Sequence, residues 1–317
     1  MDVIMSGEAT PSQIGGFITG LRMKGETAEE IAGAAAVMRK KATPIIPALG
    51  NGDLMIDTCG TGGDGTGTFN ISTASALVAA GAGAKVAKHG NRSISSKCGS
   101  ADVLEALGVA IDIEPRRVAE CIESVGIGFL FAPGLHGAMK HAIGPRRELG
   151  IRTIFNILGP LTNPAGAEAQ LLGVYDPKLC VVMAEVLKSL GSVRAMVVHG
   201  SGLDEISISG PTDIALLEDG IVSRRRIVPE DLGIERAAIE DLKGGDDVEN
   251  ARIIRDILSG ETGPKRDVVI VNSAASLMVA GIAEDFADGI KKASDSIDSR
   301  KAKQKLDELI SFTGGIH

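Results

Sequence analysis

Tryptophan is absent from the 317 residues, and a single tyrosine stands beside seven phenylalanines. A chain that is 44% hydrophobic must therefore build its core from Ala, Val, Leu and Ile. Cysteines are few: Cys59, Cys98, Cys121 and Cys180. None forms a Cys-x-x-Cys pair, so neither a zinc site nor a redox motif is indicated, and free thiols in a reducing cytoplasm are expected. No uncharged apolar run approaches the ~20 residues needed to cross a bilayer. The N-terminus lacks the basic region and apolar core of a secretory signal. Acidic residues are missing from Gly65 to Ala101, a span that carries Lys85, Lys88, Arg92, Lys97 and His89. The whole chain has net charge −8. A basic island in an acidic chain points to a small polyanion in one pocket and argues against the broad basic face of a nucleic-acid binder.

Glycine is plentiful, at 41 residues, as tight strand–helix turns of an α/β fold require. Its densest cluster organises the chain: Cys59-Gly60-Thr61-Gly62-Gly63-Asp64-Gly65-Thr66-Gly67-Thr68. The cluster follows an apolar strand at Leu54–Asp57 and precedes a helix from Thr73 to Ala80. Helix-initial N–H groups there have no internal partner, and the dipole favours negative charge, so the loop suits phosphate. Gly60-x-Gly62-x-x-Gly65 fits the dinucleotide pattern, but the acidic residue expected about 20 positions on for a ribose hydroxyl is missing. No Gly-x-x-x-x-Gly-Lys-[Ser/Thr] loop occurs.

At this length two domains are expected. Residues 1–50 read as a small helical domain, on which helices near 155–190 are candidates to pack. Thr10-Pro11-Ser12-Gln13 and Thr27-Ala28-Glu29-Glu30 are capping boxes that open its two helices. Residues 51–317 read as a large α/β domain with a mainly parallel central sheet. Its expected strands are Ala84–Gly90, Gly128–Ala132, Gln170–Tyr175 and Arg194–His199, then a hairpin within Ile206–Val228 and a buried strand at Asp267–Asn272. In a parallel sheet the loops after residues 57 and 90 lie side by side at the carboxyl edge, where α/β proteins bind ligands.

Asp204-Glu205 is a pair of hard oxygen donors after a strand. It suits Mg²⁺ bridging to substrate phosphates, with a solvated loop as the plain alternative. Lys88, Asn91 and Arg92 can reach phosphate or carboxylate. Of Arg146 and Arg147, one can be functional and the other a surface charge. His89 is a site candidate; His136, His141 and His199 stay ambiguous. No Ser-His-Asp order or Gly-x-Ser-x-Gly elbow supports nucleophilic hydrolysis.

Several motifs occur in register: Gly60-Thr61-Gly62-Gly63-Asp64, Asn70-Ile71-Ser72-Thr73, Lys88-His89-Gly90-Asn91-Arg92, Gly99-Ser100-Ala101-Asp102, Arg152–Pro164 and Asp204-Glu205. With Ala9-Thr10-Pro11 and Leu21–Thr27, they make nearly the whole chain resemble the anthranilate phosphoribosyltransferase family of tryptophan biosynthesis. The resemblance implies a helical domain plus an α/β domain like that of nucleoside phosphorylases, and a homodimer formed through the helices. It implies transfer of the phosphoribosyl group of 5-phosphoribosyl-1-pyrophosphate (PRPP) to the amine of anthranilate, with two Mg²⁺ per subunit. PRPP would contact Gly60, Gly63, Asp64, Thr68, Asn70, Ile71, Ser72, Thr73, Lys88, His89, Gly90, Asn91, Arg92, Ser93, Ile94, Ser95, Ser96 and Ser100. Anthranilate would lie against Gly60, His89, Asn91 and Arg146, and Mg²⁺ against Ser72, Asp204 and Glu205. Lys88 and Arg146 would act electrostatically, with no general base. Members usually carry a further helix before the segment matching Ile4-Met5-Ser6-Gly7, and a proline where Gly137 stands. The alternatives are a paralogue with another acceptor, a nucleoside phosphorylase, and a non-catalytic nucleic-acid-binding relative.

Overall fold

The computed structural model of the chain describes all residues except 51, 94–96 and 315–317. Ile94, Ser95 and Ser96, expected to touch PRPP, therefore lie outside the described residues, as does His317.

Three helices open the chain: α1 (Asp2–Met5), α2 (Pro11–Lys24) and α3 (Ala28–Lys41). Both capping boxes form. The Gln13 N–H donates to Thr10 Oγ1 while the Thr10 N–H donates to Gln13 Oε1, and Thr27 and Glu30 repeat the exchange. Each such cap stabilises its helix by about 1 kcal/mol. The inward stripe Ile14, Ile18, Leu21, Ile31, Ala35 and Met38 is buried.

The rest of the chain surrounds one seven-stranded sheet of order β3-β2-β1-β4-β5-β6-β7. Five strands are parallel: β1 (Met55–Gly60), β2 (Lys85–Gly90), β3 (Ile127–Phe131), β4 (Ala169–Gly173) and β5 (Arg194–Gly200). The expected excursion is the antiparallel hairpin β6 (Thr212–Glu218) and β7 (Ile221–Ile227). The crossovers are α4 (Ile71–Gly81), α5 (Ser100–Ala106) and α6 (Pro115–Ser124). Then come α7 (Ala132–Leu135), α8 (Lys140–Leu149), α9 (Phe155–Leu158) and α10 (Leu179–Ser189). The chain ends with α11 (Asp247–Leu258), α12 (Pro264–Val279), α13 (Phe286–Asp298) and α14 (Lys301–Thr313).

Strand alternation divides the core. Leu171, Met196 and Val198 face one layer with α4, α11 and α12, whereas Leu172, Val174 and Val197 face the other with α2, α3, α9 and α10. The N-terminal helices thus share an apolar cluster with the 154–187 region. Arg39 of α3 ties them further by donating to the carbonyls of Leu161 and Leu190, at 2.7 and 3.3 Å.

One expected element is different. Asp267–Asn272 is not a strand but the first half of α12. A short run of β-branched residues reads the same in a buried strand and in a helix buried all round, so periodicity does not separate them. Pro264 in the first turn and Asp267 near the N-terminus favour the helix. The side chains of Asn272 and Ser273 then bond back to the carbonyls of Val268 and Val269, four residues earlier.

Candidate active site

The loop between β1 and α4 bends through four left-handed glycines, Gly62, Gly63, Gly65 and Gly67, with φ of 66 to 77°. Only glycine adopts such a series freely. Three of the loop's N–H groups are already taken: Thr61 by Gly173 O, Gly62 by Asp204 and Thr66 by Asp64. The loop is held from both sides. Asp64 accepts from the N–H and hydroxyl of Thr66, at 3.1 and 2.8 Å. Arg152 lies over the Tyr175 ring and donates to the Gly63 carbonyl. Phe69 N–H donates to Leu242 O and Gly244 N–H to Gly67 O. Asn70 is committed to this scaffold: its amide bonds Cys98 O at 3.2 Å and its carbonyl oxygen accepts from Asn250 at 3.0 Å. Thr73 is buried in the first turn of α4, and its hydroxyl has no hydrogen-bond partner.

Opposite the loop stands the turn after β5, which brings Asp204 and Glu205 to the same edge. Asp204 Oδ2 accepts the Gly62 N–H at 2.7 Å. The approach requires glycine on two neighbouring strands: a Cβ at Gly60 would sit 2.3 Å from Asp204 Oδ2, and one at Gly173 would sit 1.6 Å from the Asp204 carbonyl oxygen. Gly173→Ala is therefore expected to dislodge the 203–205 turn, at a cost of about 1–3 kcal/mol of overpacking that urea denaturation measures. Burial and the neighbouring Asp64 push the Asp204 carboxyl up to about 7. Burial and Asp204 raise Glu205 as well, against the pull of Lys88 and the Ser72 N–H. Among the described residues, no three His, Cys, Asp or Glu side chains form a closed metal cage. Two crowded carboxylates short of positive charge fit Mg²⁺, which takes a few hard oxygens and leaves positions for water and phosphate.

Beneath the crevice, β1 and β2 carry a buried polar group. Lys88 is 2% exposed and donates to Thr58 O at 2.6 Å, with Ser72 Oγ at 3.4 Å. Burial pushes its ammonium down while Asp57, Cys59 and Glu205 pull it up. Asp57, also fully buried, accepts from the His89 N–H at 3.1 Å and from Asn163 Nδ2 at 2.8 Å. His89 Nε2 meets His136 Nε2 at 3.2 Å. Burial, with the mutual repulsion of the two rings acting on His89, lowers them to about 3 and about 4, so both are neutral at pH 7.

The basic island is less free than its sequence reads. Arg92 is paired with Asp102 and Glu105 of α5, and Lys85 starts β2 at the far end of the strand and donates to Glu123 O. Asp102 also accepts from the N–H groups of Ser93 and Gly99, and Ser100 Oγ donates to Asn91 O. Thr68 bridges to Lys243. Of the two adjacent arginines, Arg146 is half-buried over the Phe155 ring and Arg147 is exposed. Asp57 and Gly173 carry the geometry without having been singled out in the sequence, and Arg152 and Asn163 stood there only within a quoted motif, with no role given. The available signal was an acid inside an apolar strand. A cavity of about 290 Å³ bordered by Arg194, Glu218 and Glu284 lies at the opposite, amino-terminal edge of β5.

Comparison with known proteins now bears on this crevice. Residues 1–42 match the helical bundle domain of the glycosyl transferase family, and residues 52–303 match its a/b domain. The anthranilate phosphoribosyltransferase of Acetivibrio thermocellus is 60% identical over 99% of this chain and 90% of its own length. The crystal structure of the Thermus thermophilus enzyme of that name superposes with a TM-score of 0.94 at 43% identity, covering 99% of this chain and 93% of that one. The Saccharomyces cerevisiae enzyme in complex with PRPP and Mg gives 0.87 at 31% identity, covering 96% and 85%. In complex with 4-fluoroanthranilate it gives 0.87 at 29%, covering 99% and 91%.

Proposed function

The chain belongs to the anthranilate phosphoribosyltransferase family, and we propose that the crevice between the glycine loop and the Asp204-Glu205 turn is its PRPP site. Its reaction moves the 5-phosphoribosyl group of PRPP to the amine of anthranilate. The products are N-(5-phosphoribosyl)anthranilate and pyrophosphate, in the second step of tryptophan biosynthesis from chorismate. The observation that carries the site is the seating of Asp204 against the glycine loop through the Gly62 N–H, with Glu205 beside it at the start of α4.

In this reading the glycine loop and the first turn of α4 take the phosphates. Ser72, Asp204 and Glu205 hold Mg²⁺, two ions per subunit. An ion held by these oxygens would supply positive charge next to the pyrophosphate leaving group. Lys88 adds fixed positive potential from below. Arg146, supported by Phe155 and without an acidic partner among the described residues, pairs with the anthranilate carboxylate. The aniline amine is already neutral at pH 7, so positioning supplies the catalysis and no general base is needed. The neutral state of His89 and His136 agrees with that role, because neither carries charge to the aromatic acceptor. Residues 1–50 act as the helical domain. Exposed Val3, Phe17 and Met23 on it support a homodimer joined there. No helix among the described residues is long and apolar enough to cross a membrane.

Loss of anthranilate fluorescence tests the assignment. Turnover is expected only when PRPP, anthranilate and Mg²⁺ are all present. Metal-independent phosphorolysis of a nucleoside, with no consumption of anthranilate, would overturn it.

A further inference from the structure

Resting on that assignment, we propose that Asp57 and Asn163 form a positioning pair that sets the tip of β2, and through it the placement of Lys88 and His89. Neither residue is assigned a contact with substrate. Backbone pairing between β1 and β2 covers only Met55↔Lys85 and Ile56↔Val86, whereas β1 pairs with β4 as far as Gly60 and β2 with β3 as far as Gly90. The sheet therefore parts at the carboxyl ends of β1 and β2. Val86 N–H donates to Gly126 O toward β3, so by strand alternation Ala87 and His89 present their main-chain groups toward β1.

Side chains take over where the ladder stops. Asn163 Nδ2 donates to Ala87 O at 2.8 Å and to Asp57 Oδ2 at 2.8 Å. Asp57 Oδ1 accepts the His89 N–H at 3.1 Å, and Lys88 Nζ fills the remaining gap on Thr58 O. Asp57, Asn163, Lys88 and His89 are all buried, so water cannot substitute for a lost partner. The wedge is also fixed from behind. Asn163 Oδ1 accepts the Ala165 N–H, Gln170 holds Pro160 O at 2.6 Å, and Arg39 holds Leu161 O. A carboxylate and an amide thus act as a spacer that keeps two strands parted while bonding the His89 N–H and the Ala87 carbonyl between them.

An exchange of donor and acceptor tests the pair. Asp57→Asn turns one amide NH₂ toward another, and Asn163→Asp turns one carboxylate toward another. The double exchange restores one donor and one acceptor across the contact but leaves Ala87 O without its donor, so rescue is expected to be partial. Each single variant, folded by circular dichroism, is expected to lose about 100-fold in kcat/KM for PRPP, the scale of a 1 Å misplacement, and the double variant to regain at least about tenfold. A folded single variant within about twofold of wild type, or a double variant no better than the worse folded single, overturns the proposal. If neither single variant folds, a folded and active double variant supports it and an inactive one overturns it. Wild-type turnover in the same assay separates failure of this inference from failure of the PRPP assignment.

Discussion

Replacing Asp204 by Asn together with Glu205 by Gln is expected to lower kcat on the order of 10³-fold while leaving the fold intact. The two effects separate because these acids oppose the apo fold. Their folded-state values are raised above the unfolded ones, Asp204 to about 7. The sign follows from linkage: such groups leave stability fully present below the unfolded carboxylate range near pH 4 and subtract from it as pH rises through the folded value. Wild-type protein without metal should thus lose melting temperature from about pH 4 to pH 8, and the double amide variant should lose less. Added Mg²⁺ should raise the wild-type melting temperature at pH 8 and leave the variant unmoved, since only a cation that binds the native state stabilises it. A variant with normal turnover and a normal Mg²⁺ response would sink the metal assignment.

Local chemistry made much of this fold legible. The capping boxes at Thr10 and Thr27, the glycine loop and the β6–β7 hairpin depend on residues a few positions apart, and rules for those positions apply before anything packs. What escaped was set by burial. The Val268–Val271 run has no polar face to fix its period, because α12 has no solvent side there. Asp57 reads as one acid in an apolar strand. Its partners come from residue 163 and from a neighbouring strand, which local spacing does not reveal. Arg92 looked unopposed because the acid-free span ends at Ala101, just before Asp102 and Glu105 on the helix that folds back onto it. By residue type alone Arg146 and Arg147 are equivalent, and only the resemblance chose Arg146, which the rotation of α8 places over Phe155.

Lys88→Ala is expected to have the second large effect, and the structure changes its expected form. A lysine reaching freely into solvent would lose phosphate affinity and nothing else. Here the ammonium is buried, bonded to Thr58 O, with Asp57 and Glu205 as the acids it offsets. Truncation leaves a buried carbonyl without its donor and two carboxylates without their cation, so stability should fall by about 3 kcal/mol. Lys88→Met keeps most of the volume and isolates the charge. Measured at temperatures where it is fully folded, it should raise KM for PRPP far more than KM for anthranilate, because the lost potential acts on a polyanion. Burial also makes this loss resistant to salt, since ions screen a buried charge poorly. The deficit of Lys88→Met should therefore persist from low to high ionic strength. A deficit that shrinks toward wild type in salt would place the ammonium in solvent and overturn its role as a fixed charge beneath the crevice.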